Sequence, residues 1–120
     1  NRFLGLELIS HSNELVILSM KVKPEYLQEH GVVHGAILTA IADTSAVYLF
    51  HPHLAEDQKI TSIEFKVNFV APALNNGKPI QARAKVVKKG RKIGLADVEV
   101  FQEEKLILKG LFTYLFFKAE

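Results

Sequence analysis

The 120-residue sequence contains no cysteine. This absence excludes a disulfide framework, a catalytic thiolate and any zinc or iron–sulfur centre held by thiolates. It also agrees with a reducing compartment, so we expect a cytoplasmic protein. Hydrophobic residues make up 48% of the chain and charged residues 23%, and this composition excludes a disordered or collagen-like protein.

Long apolar runs suited to a membrane are missing as well. The two most apolar stretches cover residues 32–50 and 106–117. The second is shorter than the ~20 residues that a spanning helix needs, and the first contains His34 and Asp43. There is no repeat, no low-complexity segment and no linker, and the length is that of one domain. We therefore predict a single domain over residues 1–120 that has no membrane partner.

Glycine-rich phosphate loops, dinucleotide fingerprints and nucleophile-elbow serines do not occur in the sequence. Histidines at positions 30 and 34, and a second pair at positions 51 and 53, raise the alternative of a metal site. Gly31 disfavours a helix within the first pair, and a helix between the pairs would hold them ~25 Å apart. We expect neither a metal nor a cofactor.

The basic residues are concentrated in one half of the sequence. Residues 1–60 carry four Lys/Arg against seven Asp/Glu, a net charge of −3, whereas residues 61–120 carry eleven against six, a net charge of +5. The excess centres on Lys85, Lys88, Lys89, Arg91 and Lys92. Such a run attracts phosphate groups, and the alternative is a solvated hairpin tip. Because no aromatic residues interleave with these cations, we expect no nucleic-acid partner.

The pattern of apolar residues predicts an α+β fold. Short apolar runs at residues 3–9 and 14–20 indicate a hairpin, and residues 34–50, rich in alanine, leucine and isoleucine, indicate one long helix. Later runs predict strands at residues 60–70, 80–87, 93–101 and 106–117. The short connections between them favour antiparallel neighbours. The prediction is one curved antiparallel sheet packed around a single central helix.

Two of these elements carry further expectations. The helix is apolar on nearly every side, so we expect protein to surround it. The mean hydropathy of +0.12 is high for a small domain, which favours burial of some apolar surface by another subunit. In the strand at residues 60–70, alternation predicts one face with Ile63, Phe65, Val67 and Phe69, and the other face with Ser62, Glu64, Lys66 and Asn68.

Candidate chemistry lies on the predicted helix. Asp43 is in its middle and has no Lys or Arg within one turn. Apolar surroundings without a cation strengthen the basicity of a carboxylate, which suits a general base. The alternative is a polar stripe with Thr39 that reaches solvent or a partner chain. At the helix start, Gly35 lets a ligand approach free N–H groups that stabilise an oxyanion. His34 orients or caps this turn, or is a structural histidine bonded to backbone.

These residues resemble a known family. Residues 31–36 read G-V-V-H-G-A, and Asp43 follows nine positions after His34. This is similar to the central-helix signature G-x-x-H-G-G of small hotdog-fold acyl-CoA thioesterases, the type that includes phenylacetyl-CoA and 4-hydroxybenzoyl-CoA thioesterases. Residues 62–73 resemble the family's long central strand, and the turn at residues 90–95 and the final strand match as well. The resemblance covers about residues 5–117 and implies the hotdog fold, in which a sheet wraps a long helix.

The resemblance implies hydrolysis of an acyl-CoA substrate to a free carboxylic acid and CoA. In this family the active site lies between the two subunits of a homodimer, and dimers often pair into tetramers. Asp43 takes the position of the general base or nucleophile. His34 is the histidine of the motif, and Gly35 and Ala36 take the positions whose backbone N–H groups polarise the thioester carbonyl.

The resemblance also implies roles for other residues of this sequence. Gln28, with His30 as a rival, takes the position of the side chain that holds the water or the carbonyl. Ser62 matches a position that often touches the substrate or the attacking water. The basic turn is expected to hold the phosphates of CoA through Lys89, Arg91 and Lys92.

Two positions depart from the family pattern. Ala36 replaces the second glycine and narrows the approach to the helix start by one methyl group, and Gln28 replaces the commoner asparagine and adds a methylene. The alternative function is therefore a non-catalytic acyl-CoA-binding hotdog protein with a sensor or assembly role. A hotdog dehydratase is a weaker third interpretation, because its His/Asp motifs are not found in the sequence.

Overall fold

Six strands and one long helix form within residues 5–119, the part of the chain that the computed structural model describes. The elements are β1 (Leu6–His11), β2 (Leu15–Met20), α1 (Gly35–Phe50), β3 (Gln58–Phe69), β4 (Ile80–Lys89), β5 (Ile93–Gln102) and β6 (Lys105–Lys118). This order of elements confirms the prediction. The predicted start of the first strand at Phe3 lies outside the described residues, and β1 continues two residues beyond its predicted end.

All the strands pair in one antiparallel sheet, whose order is β1-β2-β4-β5-β6-β3. The chain leaves β2, forms α1 and crosses to the far edge as β3, which pairs with β6. The meander of β4, β5 and β6 then fills the space between β2 and β3. The predicted α+β architecture, one antiparallel sheet around one helix, is confirmed. Within the described residues no helix is long and apolar enough to cross a membrane.

Helix α1 packs on the concave side of the sheet with one face only. Its buried residues recur every three or four positions and are Leu38, Ile41, Ala42, Ser45, Ala46, Leu49 and Phe50. They form one hydrophobic core with the inward side chains of the strands. In a single chain the sheet covers only one side of the helix, so the expectation that protein surrounds it stays a prediction about the assembled protein. Ala36 and Tyr48, on the opposite side, are exposed.

A β-bulge in β3 changes which side chains share a face. Ser62 pairs with Tyr114, whereas Glu64 already pairs with the preceding residue of β6, so Ile63 is an extra residue in β3. An extra residue reverses the alternation beyond it. Ser62 therefore lies on the concave face together with Phe65, and the predicted grouping of Ser62 with Glu64 is wrong.

A second bulge occurs in β4, at Val87. Simple alternation would put Lys89 on the same face as Val87, the convex one. Beyond the bulge Lys89 instead pairs with Gly94, a buried residue of the concave face. The Lys89 ammonium lies 5.6 Å from the centroid of the Phe116 ring.

Gln102, at the end of β5, forms side-chain hydrogen bonds with the loop that leads from β3 to β4. Its side-chain oxygen accepts a hydrogen bond from the Leu74 N–H at 2.9 Å. Its amide nitrogen donates to the carbonyl oxygens of Leu74 and Lys78 and to Asn76 Oδ1, at 2.7, 3.1 and 3.1 Å. Because Gln102 is buried, these bonds satisfy an amide that would otherwise be costly in the core.

Candidate active site

The start of α1 is held by the backbone that precedes it. His30 has a φ of 69° and Gly31 a φ of 73°, so two successive left-handed residues turn the chain toward the helix. The His34 N–H then donates to the Tyr26 carbonyl at 2.8 Å. The His34 side chain is exposed and forms no capping hydrogen bond. The suggested cap by this side chain is therefore wrong, and the backbone of His34 holds the turn.

A cleft of about 430 Å³ opens beside the helix start. Two predicted site residues, Gln28 and Gly35, line it with Val32, Val33, Leu38, Phe69, Val70, Ala71 and Pro72. His30, the rival of Gln28, does not line the cleft. The N–H groups of Gly35 and Ala36 belong to the first helical turn, where the helix offers them no acceptor and its dipole is positive. The cleft thus combines apolar walls with donors for a carbonyl oxygen.

Glycine is required at position 35 by the packing of this cleft. A Cβ atom added to Gly35 would lie 3.0 Å from the Phe69 ring. Any larger side chain at this position would push the ring aside and fill the space in front of the free N–H groups. The ring and the glycine together define the mouth of the cleft.

Asp43 lies two turns further along α1 and is half-buried. Its Oδ1 accepts a hydrogen bond from the Tyr114 hydroxyl at 2.5 Å. No ion pair to Asp43 forms within residues 5–119. Thr39 lies one turn earlier on α1, and its hydroxyl donates to the Gly35 carbonyl at 2.9 Å. The carboxylate is thus turned toward the sheet and is partnered by a phenol.

The sequence pattern did not identify Tyr114. This residue is fully buried on β6, between Phe112 and Phe116 on the same face. Burial raises the pKa of its hydroxyl well above the ordinary value, and the hydrogen bond and negative charge of Asp43 raise that pKa further. Tyr114 therefore stays protonated and acts as a donor. The available signal was a hydroxyl at an inward position of a strand whose other inward aromatics are phenylalanines.

Ser62 joins the same group. It lies directly opposite Tyr114 in the pairing of β3 with β6, and opposed residues have Cβ atoms about 4.5–5.5 Å apart on one face of a sheet. Ser62 is exposed, so its hydroxyl is accessible to a ligand. Ser62 and Asp43 thus both neighbour Tyr114, the first through strand pairing and the second through the hydroxyl hydrogen bond.

The predicted basic residues surround the end of β6. Arg91 and Lys92 line a second cleft, of about 600 Å³, with Gln58, Leu115, Phe116, Phe117 and Lys118. Lys89 reaches the Phe116 ring from the concave side. Lys118, which was not predicted, adds a further cation to this cleft. Phe116, which lines this cleft, is two positions from Tyr114 on the same strand.

Within one chain the helix start and Asp43 are far apart. Asp43 lies eight positions after Gly35 on α1, which corresponds to ~12 Å along the helix axis. Gln28 and Gly35 line the cleft at the helix start, whereas Asp43 and Ser62 each neighbour Tyr114. Over residues 5–119 no three His, Asp or Glu side chains are grouped as a metal ion requires.

One long helix on the concave face of a six-stranded antiparallel sheet is the hotdog fold, as predicted. A thioesterase family protein from Silicibacter pomeroyi has this structure, with a TM-score of 0.89 and 27% identity over 98% of this chain and 88% of that chain. The protein SAV0944 from Staphylococcus aureus, in a Glu47Ala mutant form, has a TM-score of 0.93 at 18% identity, over 98% of each chain. The second likeness concerns the fold alone.

Residues 30–108 match the family described as the thioesterase superfamily. The chain belongs to this superfamily and is a thioester hydrolase. It is 25% identical over 131 residues to the medium/long-chain acyl-CoA thioesterase YigI of Escherichia coli K12, covering 96% of this chain and 83% of YigI. It is 24% identical over 102 residues to the acyl-coenzyme A thioesterase PaaI of the same organism, covering 85% of this chain and 70% of PaaI.

Proposed function

We propose that the protein hydrolyses acyl-CoA thioesters to a carboxylic acid and CoA, at a site built by two copies of the chain. The observation that carries this proposal is the separation of Gly35 from Asp43. An oxyanion donor and a general base must each lie about 3 Å from the reacting atoms. A gap of ~12 Å along one helix is too long for that, so the two groups serve one carbonyl only when they come from different chains.

The free edge of the sheet supports such a pairing. β3 is an edge strand of twelve residues, and Phe65 and Phe69 on its concave face are 50% and 56% exposed. A long apolar edge of this kind favours association. If β3 paired antiparallel with β3 of a second copy across a two-fold axis, the Phe69 end of one strand would meet the Ser62 end of the other. The cleft at Gly35 would then face Asp43 of the second copy.

The chemistry of such a site follows from its groups. The N–H groups of Gly35 and Ala36 donate to the thioester carbonyl oxygen, and Gln28 orients the carbonyl or the water. Asp43 of the second copy removes a proton from the water, whose oxygen attacks the carbonyl carbon. Ser62 of that copy contacts the water. The tetrahedral intermediate expels the CoA thiolate, and the proton held by Asp43 passes to the sulfur.

Two observations support acyl-CoA thioesters as the class of substrate. YigI and PaaI, both related to this chain, are named as acyl-CoA thioesterases. In addition, Arg91 and Lys92 line the basic cleft and Lys89 lies against its Phe116 ring, so these three cations are available to the phosphates of CoA. We extend the proposal to a tetramer in the cytoplasm, in which dimers pair through the uncharged outer face of α1.

The test is thiol release from a panel of short-chain, medium- and long-chain, and aromatic acyl-CoAs. We expect the wild type to hydrolyse at least one of them and Asp43→Asn to lose about 10²–10⁴-fold in kcat, since the amide cannot accept the proton. The matched control is Asp57→Asn, the same change at an exposed aspartate, which should keep the wild-type rate.

The outcomes separate the alternatives. Near-normal turnover by Asp43→Asn would exclude Asp43 as the base. Saturable binding of acyl-CoA without hydrolysis by the wild type would overturn the catalytic proposal and favour the binding protein that Ala36 and Gln28 suggest.

A further inference from the structure

The orientation of the Asp43 carboxylate depends on one hydrogen bond. A carboxylate turns readily about its last side-chain torsion, which has broad minima. Within the described residues, the Tyr114 hydroxyl is the side-chain donor to this carboxylate, and its distance of 2.5 Å from Oδ1 is typical of a hydrogen bond to a charged acceptor. No lysine or arginine of residues 5–119 forms an ion pair with its oxygens.

Tyr114 itself is held rigidly by the core. Its side chain has no exposed surface, and its ring packs against Phe50 with centroids 5.9 Å apart and an interplanar angle of 60°. In the sheet it pairs with Gly94 on one side and Ser62 on the other. Its hydroxyl oxygen is therefore fixed by two neighbouring strands and by the helix.

We propose that Tyr114 is a positioning residue, which holds Oδ1 of Asp43 and thereby leaves Oδ2 directed at the attacking water. This inference rests on the proposed function and adds to it a residue that does not touch the substrate. The phenol donates and does not exchange its proton with the reaction, because burial and the Asp43 charge raise its pKa. Tyr114 is thus a fixed donor and Asp43 alone accepts the proton of the water.

A purely structural role for the same bond makes a different prediction. If the hydroxyl merely ties α1 to β6, its loss should lower stability and reduce activity whatever residue stands at position 43. If it positions the base, its loss should matter only while a carboxylate is present there. A double-mutant cycle separates the two roles.

The experiment measures kcat and KM on the preferred acyl-CoA for the wild type, Tyr114→Phe, Asp43→Asn and the double variant. We expect Tyr114→Phe to lower kcat about 10- to 100-fold, the range of a hydrogen bond to a charged group, with KM unchanged. In the Asp43→Asn background the same change should have no further effect. Tyr48→Phe, which alters an exposed tyrosine on the outer face of α1, should behave as the wild type.

Two results would overturn the proposal: an unchanged kcat in Tyr114→Phe, or an equal loss in both backgrounds accompanied by a lower melting temperature. A wild type inactive on every ester would instead contradict the proposed function. Crystal structures then test the positioning role alone. The Asp43 carboxylate should take a new orientation in Tyr114→Phe, and an unchanged orientation would refute the inference.

Discussion

At the scale of single residues, the unusual feature of the site is a carboxylate without a cation. The sequence singled out Asp43 because no basic residue lies within one helical turn of it, and the family resemblance then favoured it as the base. Tyr114 was not found, because an inward tyrosine in an alternating strand has the same pattern as a core aromatic. The partner of Asp43 is 71 residues away in the chain, and only the tertiary fold brings the two together.

Close packing under the site predicts the effect of a small change at Gly94. A Cβ atom added there would lie 2.5 Å from the Phe116 ring and 3.0 Å from the Phe50 ring. Both rings would have to move, and overpacking of this kind destabilises by about 1–3 kcal/mol. We expect Gly94→Ala to lower the free energy of unfolding by that amount in urea titrations. Unchanged stability would mean that the rings relax freely.

The same change at Gly94 should also affect catalysis. Phe50 packs against Tyr114, so displacement of that ring moves the donor to Asp43. A lower kcat in the folded Gly94→Ala protein is therefore expected, and the thiol-release assay measures it.

At the scale of elements, the sequence predicted each helix and strand but not the bulges. The alternation of apolar and polar residues predicts which side chains share a face only while the strand pairing stays in register. The extra residues Ile63 and Val87 break it in β3 and β4, and both are residue types that are ordinary in a regular strand. The sequence therefore assigned Ser62 to the wrong face. The helix boundaries were predictable, since Gly35 and Pro52 flank the alanine-rich run.

Gln102 gives a prediction for the loop between β3 and β4. Gln102→Leu removes the acceptor of the Leu74 N–H and the donor to three oxygens of the loop. Each buried group left unsatisfied costs about 1–3 kcal/mol, so we expect a loss of at least that size in unfolding experiments. Amide exchange at Leu74 should accelerate. Unaltered exchange at that amide would show that the loop is held by other contacts.

At the scale of the whole molecule, the family resemblance suggested a site shared by two subunits. The structure adds the distance between the two halves of that site within one chain. The helix start and the base lie ~12 Å apart along α1, a separation that no motif spacing reveals without the helix. The proposed pairing of two copies depends on the exposed surface of β3. That surface is a property of the folded sheet, so the arrangement of two copies was beyond sequence patterns.

A shared site predicts that two inactive variants rescue each other. Asp43→Asn retains an intact helix start, and Gly35→Val retains an intact base. In a mixed dimer one of the two sites receives both intact groups. After denaturation and joint refolding at equal amounts, we expect about a quarter of the wild-type rate, because half of the dimers are mixed and half of their sites are whole.

The controls for this mixing experiment are the two variants refolded separately, which should stay inactive. Recovery near zero in the mixture, with dimers present by sedimentation, would contradict the shared site and favour one formed within a single chain.

The two edges of the sheet differ in a way that bears on how large an assembly grows. β3 has twelve residues, whereas β1 has six in the part of the chain that the structure describes and carries its own irregularity at Ile9, between Leu8 and Ser10. A short, bulged strand is a poor template for another chain. If β3 pairs with a second copy as proposed, further addition at β1 is disfavoured and the assembly limits itself. A molecule with one such edge would form a closed complex and not an open-ended filament.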